Sequence, residues 1–152
     1  MKIRMVKTCL HACTWCIVLI SFCHAASKSA KSVGVQGLRC ENRVNPLGID
    51  KQRPRFSWLL TGTDRGLMQQ AYELRVGTDS ARLTAGKGLV WASGKIETDQ
   101  SVYVLYGGAQ LRTSTKYFWQ VRVYDNFGRR SAWSEVAHWS MGLLSPDDWK
   151  AK

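Results

Sequence analysis

Residues 115–135 read TKYFWQVRVYDNFGRRSAWSE, and the side that their rings face decides the fold. A strand sends successive side chains to opposite faces. Alternation therefore places Tyr117, Trp119, Val121 and Val123 on one face and Phe118, Gln120, Arg122 and Tyr124 on the other. The first set is uniformly apolar, as the buried face of a sheet requires. The stretch then turns through Asn126, Gly128 and two arginines and closes on Trp133 and Ser134. Either these rings fill the interior of a β-domain or they line a surface that holds a ligand.

The same period of two recurs along the chain. Strands are predicted near 33–40, 55–60, 70–78, 89–93, 101–106, 116–125 and 134–141. Pro46 and Pro54 keep the long connection after the first strand out of any central strand. TDRG, SGK, YGG and NFGRR read as turns, and one helical turn is predicted to start at Asp79 or Ser80. No strand alternates with a long helix, which argues against a parallel nucleotide-binding sheet. The expected fold is all-β, a seven-stranded antiparallel β-sandwich. Its core is predicted from Phe56, Trp58 and Leu60, from Tyr72, Leu74 and Val76, from Tyr117, Trp119, Val121 and Val123, and from Ala137, Trp139 and Met141. Each large side chain fully buried there contributes about 1.5–3 kcal/mol.

The opposite face carries Ala71, Glu73 and Arg75 from the third strand and Phe118, Arg122 and Tyr124 from the sixth. If these strands pair, the five larger residues form one patch. It reads as a cross-strand charge pair with aromatic flanks, as a docking surface for a neighbouring domain, or as a carbohydrate platform.

The start of the chain has the form of a secretory leader. Lys2, Arg4 and Lys7 precede the apolar run CIVLISFC, and Cys23 and Ala25 take the small-residue positions of a cleavage site. That run is too short to span a bilayer as a permanent helix. Residues 1–25 are therefore expected to be a signal peptide, 26–32 a linker, 33–142 the sandwich and 143–152 the start of a connection to a following domain. The expected location is secreted or periplasmic, with membrane attachment only through the leader or a lipid anchor on Cys23. Phe22 argues against the anchor, because a small residue normally precedes a lipidated cysteine.

Cleavage removes Cys9, Cys13, Cys16 and Cys23, leaving Cys40 alone, so a disulfide framework within one mature chain is excluded. It also removes three basic residues and leaves 19 basic against 11 acidic, a net +8. Such a charge invites a nucleic-acid reading. The basic residues are scattered over loops and outer faces, however, and the leader exports the protein. Salt-sensitive attraction to an acidic polysaccharide is the expectation instead. His138 stands alone on the outer face of the last strand, so no histidine metal site and no cofactor is expected. The GKG at 86–88 lacks the spacing of a phosphate loop. Near the end, Ser145, Pro146, Asp147 and Asp148 form a helix-start pattern. Asp147 and Asp148 there read as helix-capping carboxylates rather than as a paired acid and base.

Leu111, Thr115, Tyr117, Val121 and Val123, followed by DNFGRRSAWS, resemble the end of a fibronectin type III domain. Trp58 matches the tryptophan of that family's second strand, and Thr113 stands where a proline is frequent. More narrowly, LRCENRVNPLGIDKQRPRFSWLL, VWASGKIETDQSVYVLYGG and SAWSEVAHWSMGLLSPDDWKAK resemble the amino-terminal fibronectin-like domain of bacterial α-L-rhamnosidases. That resemblance implies a secreted glycoside hydrolase that removes rhamnose from glycans, and a rhamnose-containing polysaccharide as the acidic partner. It also implies that the catalytic carboxylates lie in a later helical barrel, so no catalytic residue is carried over to any position here. The expected role is a non-catalytic accessory module whose partners are following domains of the same polypeptide. The competing class is a stand-alone carbohydrate-binding or adhesive module.

Overall fold

Residues 32–145 are described by the computed structural model. The expected leader, nearly all of the linker and the helix-start pattern at Pro146, Asp147 and Asp148 lie outside the described residues. Seven strands and one short helix follow in order: β1 Gly34–Cys40, β2 Arg55–Thr61, β3 Gln69–Gly77, α1 Ser80–Thr84, β4 Leu89–Glu97, β5 Val104–Leu105, β6 Lys116–Asp125 and β7 Ala137–Ser140. A three-stranded sheet has the order β1-β2-β5, and a four-stranded sheet β4-β3-β6-β7. Every strand pair is antiparallel.

β6 is the longest strand because all of its ten residues but the last, Asp125, are β-branched, aromatic or long-chained, and none is Gly or Pro. Its register against β3 sets Tyr72 beside Val123, Leu74 beside Val121 and Val76 beside Trp119. All six are buried, as are Phe56, Trp58, Tyr117, Trp139 and Met141. The rings meet between the sheets. Phe56 lies 4.5 Å from Trp119 and 5.2 Å from Trp139, centroid to centroid, and Trp58 meets Tyr72 edge-on at 5.2 Å. Offset and edge-on contacts of this kind suit the ring quadrupoles. The Trp58 indole donates to Gln69 Oε1 at 2.9 Å, and the Gln69 amide in turn donates to Gln100 O at 2.8 Å. That indole is thus buried without an unmet polar group.

Polar clasps close the two ends. At one end the Arg112 amide donates to the Tyr117 hydroxyl at 2.9 Å, pinning the crossing that enters β6. The long connection after β1 is fastened along β7, where Ile49 bridges Met141 in parallel and donates to Ser140 O. At the other end Asp125 Oδ1 accepts from the amides of Phe127 and Arg129, while Gly128 takes φ +76°. Arg129 then links Asp125 to Asp64, each at 2.7 Å.

Several element limits differ from expectation. SGK is not a turn: β4 runs through it to Glu97, with Gly94 at φ +65° in a bulge opposite the Glu73–Arg75 step. The Ser93 hydroxyl fills the interrupted ladder by accepting from the Leu74 amide. β5 is only two residues long, because Tyr103 takes φ +57° and breaks the strand expected over 101–106. β7 begins at Ala137 rather than Ser134. Before it, the hydroxyls of Ser131 and Ser134 accept from the Val123 and Val121 amides and occupy the ladder positions themselves. The helical turn follows its cap: Asp79 accepts from the Arg82 amide at 2.8 Å.

Candidate functional site

The outward face of β3 and β6 brings most of the sequence-derived patch together. Glu73 pairs with Arg122 in register, and their side chains meet at 2.7 Å. The Tyr124 hydroxyl also donates to Glu73. Burial raises the Glu73 carboxyl, but the bonds from Arg122 and Tyr124 outweigh it and leave the group below its ordinary range. Lys95 of β4 lies over the Tyr124 ring at 4.7 Å. Phe118 stands apart at the end of the strand, flanked by His138 and by Lys116.

Arg75 was expected on an exposed face, yet it is buried there at 7% exposure. Its cover is Trp133, which neither strand supplies. The Trp133 ring sits between two guanidinium groups, 4.0 Å from that of Arg75 and 4.5 Å from that of Arg122. Gln120 accepts twice from Arg75, at 2.7 and 3.1 Å, and donates to Ser134 O at 2.6 Å. Burial, then the charge of Arg122, lowers the Arg75 guanidinium from its ordinary value. Trp133 therefore covers the middle of this face, where β3 and β6 pair. Trp133 was visible in the Ser-x-Trp-Ser ending, but a period of two cannot assign a residue in an irregular segment to a face.

The outward face of the three-stranded sheet is different. Arg55, Ser57 and Leu59 alternate along its central strand, with Leu105 beside Arg55 and Arg39 beside Ser57. Leu59 is 58% exposed and Leu105 51%. Tyr103 joins this face at 46% exposure, its amide donating to Ser57 Oγ and its ring under the Arg55 guanidinium at 4.9 Å.

Cys40 is free and buried, and burial with the Glu41 charge pushes its thiol up to about 12. His138, alone on the outer face of β7, is half-buried, and burial with the charge of Lys116 lowers its imidazole. Among the described residues no His/Cys/Asp/Glu group has the arrangement of a metal site. Three open hollows of about 520, 460 and 360 Å³ indent the surface. Glu135 lines the second and Asp99 the third, and none of the three gathers two carboxylates.

Two sheets in this strand order, packed on aromatic rings and fastened by a tyrosine at the entry to β6, define an immunoglobulin/fibronectin type III-like sandwich. Within that class, residues 35–145 match the family described as Rha78A-like, N-terminal immunoglobulin domain, and the chain belongs to it. An α-L-rhamnosidase of Streptomyces avermitilis is 43% identical over 70% of this chain and 10% of its own. One from Formosa agariphila is 32% identical over 88% of this chain and 14% of its own. The crystal structure of the Streptomyces avermitilis α-L-rhamnosidase complexed with L-rhamnose aligns at a TM-score of 0.76 and 40% identity, over 80% of this chain and 12% of that one. That of the Dictyoglumus thermophilum α-L-rhamnosidase aligns at 0.74 and 36%, over 78% and 13%. The chain thus spans about a tenth to a seventh of the curated relatives it matches.

Proposed function

We propose that this chain is a non-catalytic amino-terminal accessory module of a secreted α-L-rhamnosidase-like glycoside hydrolase, packing against later domains of such a polypeptide. The observation that carries the reading is the family match over 35–145, in relatives of which the matched part is only 10% and 14%. The carboxylates support it. A glycosidase acid must hold its proton at working pH, which requires a raised pKa. Glu41, Glu73 and Asp125 are instead all lowered. At Glu41 the largest cause is the Arg55 hydrogen bond. At Asp125 burial works the other way, and the Arg129 and Phe127 bonds outweigh it. The leader pattern supports export, with cleavage after Ala25; the amino-terminal sequence of secreted material checks that step.

A domain exchange tests the reading. Residues 35–145 replace the matching part of the Streptomyces avermitilis enzyme. The exchanged protein is expected to fold, to melt together with the rest of the chain and to keep hydrolysing its rhamnoside substrate. Independent melting of the inserted domain would remove the accessory reading, and specific retention of isolated glycans by the chain alone would favour a binding module.

A further inference from the structure

The five non-glycine residues with positive φ among those described are Glu41, Asn42, Asn45, Tyr103 and Ser114. Three of them meet at one place. Glu41 and Asn42 form the turn that leaves β1, closed by paired bonds between Cys40 and Arg43. A left-handed conformation is unfavourable for Glu and more so for Tyr, and such outliers persist only where surrounding contacts hold them. Here the contacts are plain. Glu41 grips Arg55 with both carboxylate oxygens, and Asn42 donates to the Tyr103 hydroxyl at 3.1 Å. Arg39 donates to Asn42 O. These contacts hold the Tyr103 ring under the Arg55 guanidinium, on a face that also exposes Leu59 and Leu105.

Such a face, with an aromatic ring, an arginine and exposed leucines, has the composition of an interface centre. We propose that this face, rather than the Trp133-covered face of the four-stranded sheet, docks the later domains of a rhamnosidase-type polypeptide. The inference rests on the accessory reading above and adds the surface. Two observations identify the occupant. In the relatives, about nine-tenths of the polypeptide lies outside the matched part, and the route to it starts nearby: Leu144 and Ser145 line a hollow with Gln52, three residues before Arg55. The charge is also unbalanced. Glu41 is already bound to Arg55, while Arg39 and Arg43 have no carboxylate partner among the described residues. The docked surface is therefore apolar at its centre with carboxylates at its edge.

Hydroxyl-radical footprinting of the domain-exchanged Streptomyces enzyme, compared with the chain alone, tests this. Labelling of Leu59, Tyr103 and Leu105 is expected to fall severalfold in the enzyme, while Phe118 and Trp133 label alike in both. Leu59→Asp, at a site exposed in the isolated domain, is expected to lower the melting temperature of the enzyme and leave that of the isolated chain unchanged. Protection of Phe118 and Trp133 instead would move docking to the other sheet and overturn the proposal while sparing the accessory reading. Protection of Tyr103 only after L-rhamnose is added would make the face a sugar site and also overturn it. An exchanged enzyme that does not fold, or shows no protection anywhere, would remove the accessory reading and this proposal together.

Discussion

Replacing Trp133 by Leu keeps an apolar side chain over the four-stranded sheet and removes only the aromatic face between Arg75 and Arg122. A cation over a ring is worth about 0.5–1 kcal/mol when exposed and about 2 when desolvated. Arg75, at 7% exposure with its guanidinium 4.0 Å from the ring, belongs near the upper value. Arg122, whose side chain is 21% exposed at 4.5 Å, belongs near the lower. The expected loss is about 2–3 kcal/mol, a fall in melting temperature on the order of 10 °C for a domain of this size. Urea unfolding of the parent, Trp133→Leu, Arg75→Gln and the double variant isolates the pair. Arg75→Gln alone is also destabilising, because it strips Gln120 of two bonds, and the cycle cancels that effect. A coupling of about 1–2 kcal/mol is expected. Additive effects would show that Trp133 merely lies over the arginines, and the claim that it holds the middle of this face would fall.

Other consequences follow from single contacts. Tyr117→Phe deletes the acceptor of the Arg112 amide and is expected to cost about 1–2 kcal/mol without changing the fold, read by thermal unfolding. Glu41, Glu73 and Asp125 all have folded carboxyl values below their ordinary 4.5, 4.5 and 3.8. Their contribution is therefore complete above those values and is lost as pH falls through the lower folded ones; the lowered His138 imidazole adds a loss that begins below its ordinary 6.5, so urea midpoints should decline slightly from about pH 6.5 and drop steeply below about 4.5. Glu73→Gln is expected to flatten part of that drop. The Cys40 thiol should resist an aromatic disulfide reagent in the folded chain at neutral pH and react fully once urea unfolds it.

Alternation made the core of this protein legible. Wherever a strand runs unbroken, as at Tyr117–Val123 or Tyr72–Val76, a period of two places each ring on the correct side, because the pleat leaves no other choice. The strand limits were harder to read, since each depends on one local event: a bulge at Gly94, a left-handed Tyr103, serine hydroxyls substituting for backbone acceptors ahead of Ala137. The outward patch was legible as a pairing of Glu73 with Arg122. Its burial was not, because the cover comes from Trp133 in a segment with no period. Tyr103 escaped notice for the same reason. Nothing in SVYVLYGG marks which of its residues turns its backbone left-handed, and that turn decides whether the ring joins the core or the surface.

The most direct test of the account is the release of aryl alcohol from an aryl α-L-rhamnoside by the purified chain, its folding verified by a cooperative melt. The account predicts a rate equal to that of buffer alone at every pH. Turnover that disappears when one of this chain's own carboxylates is replaced by its amide would contradict it.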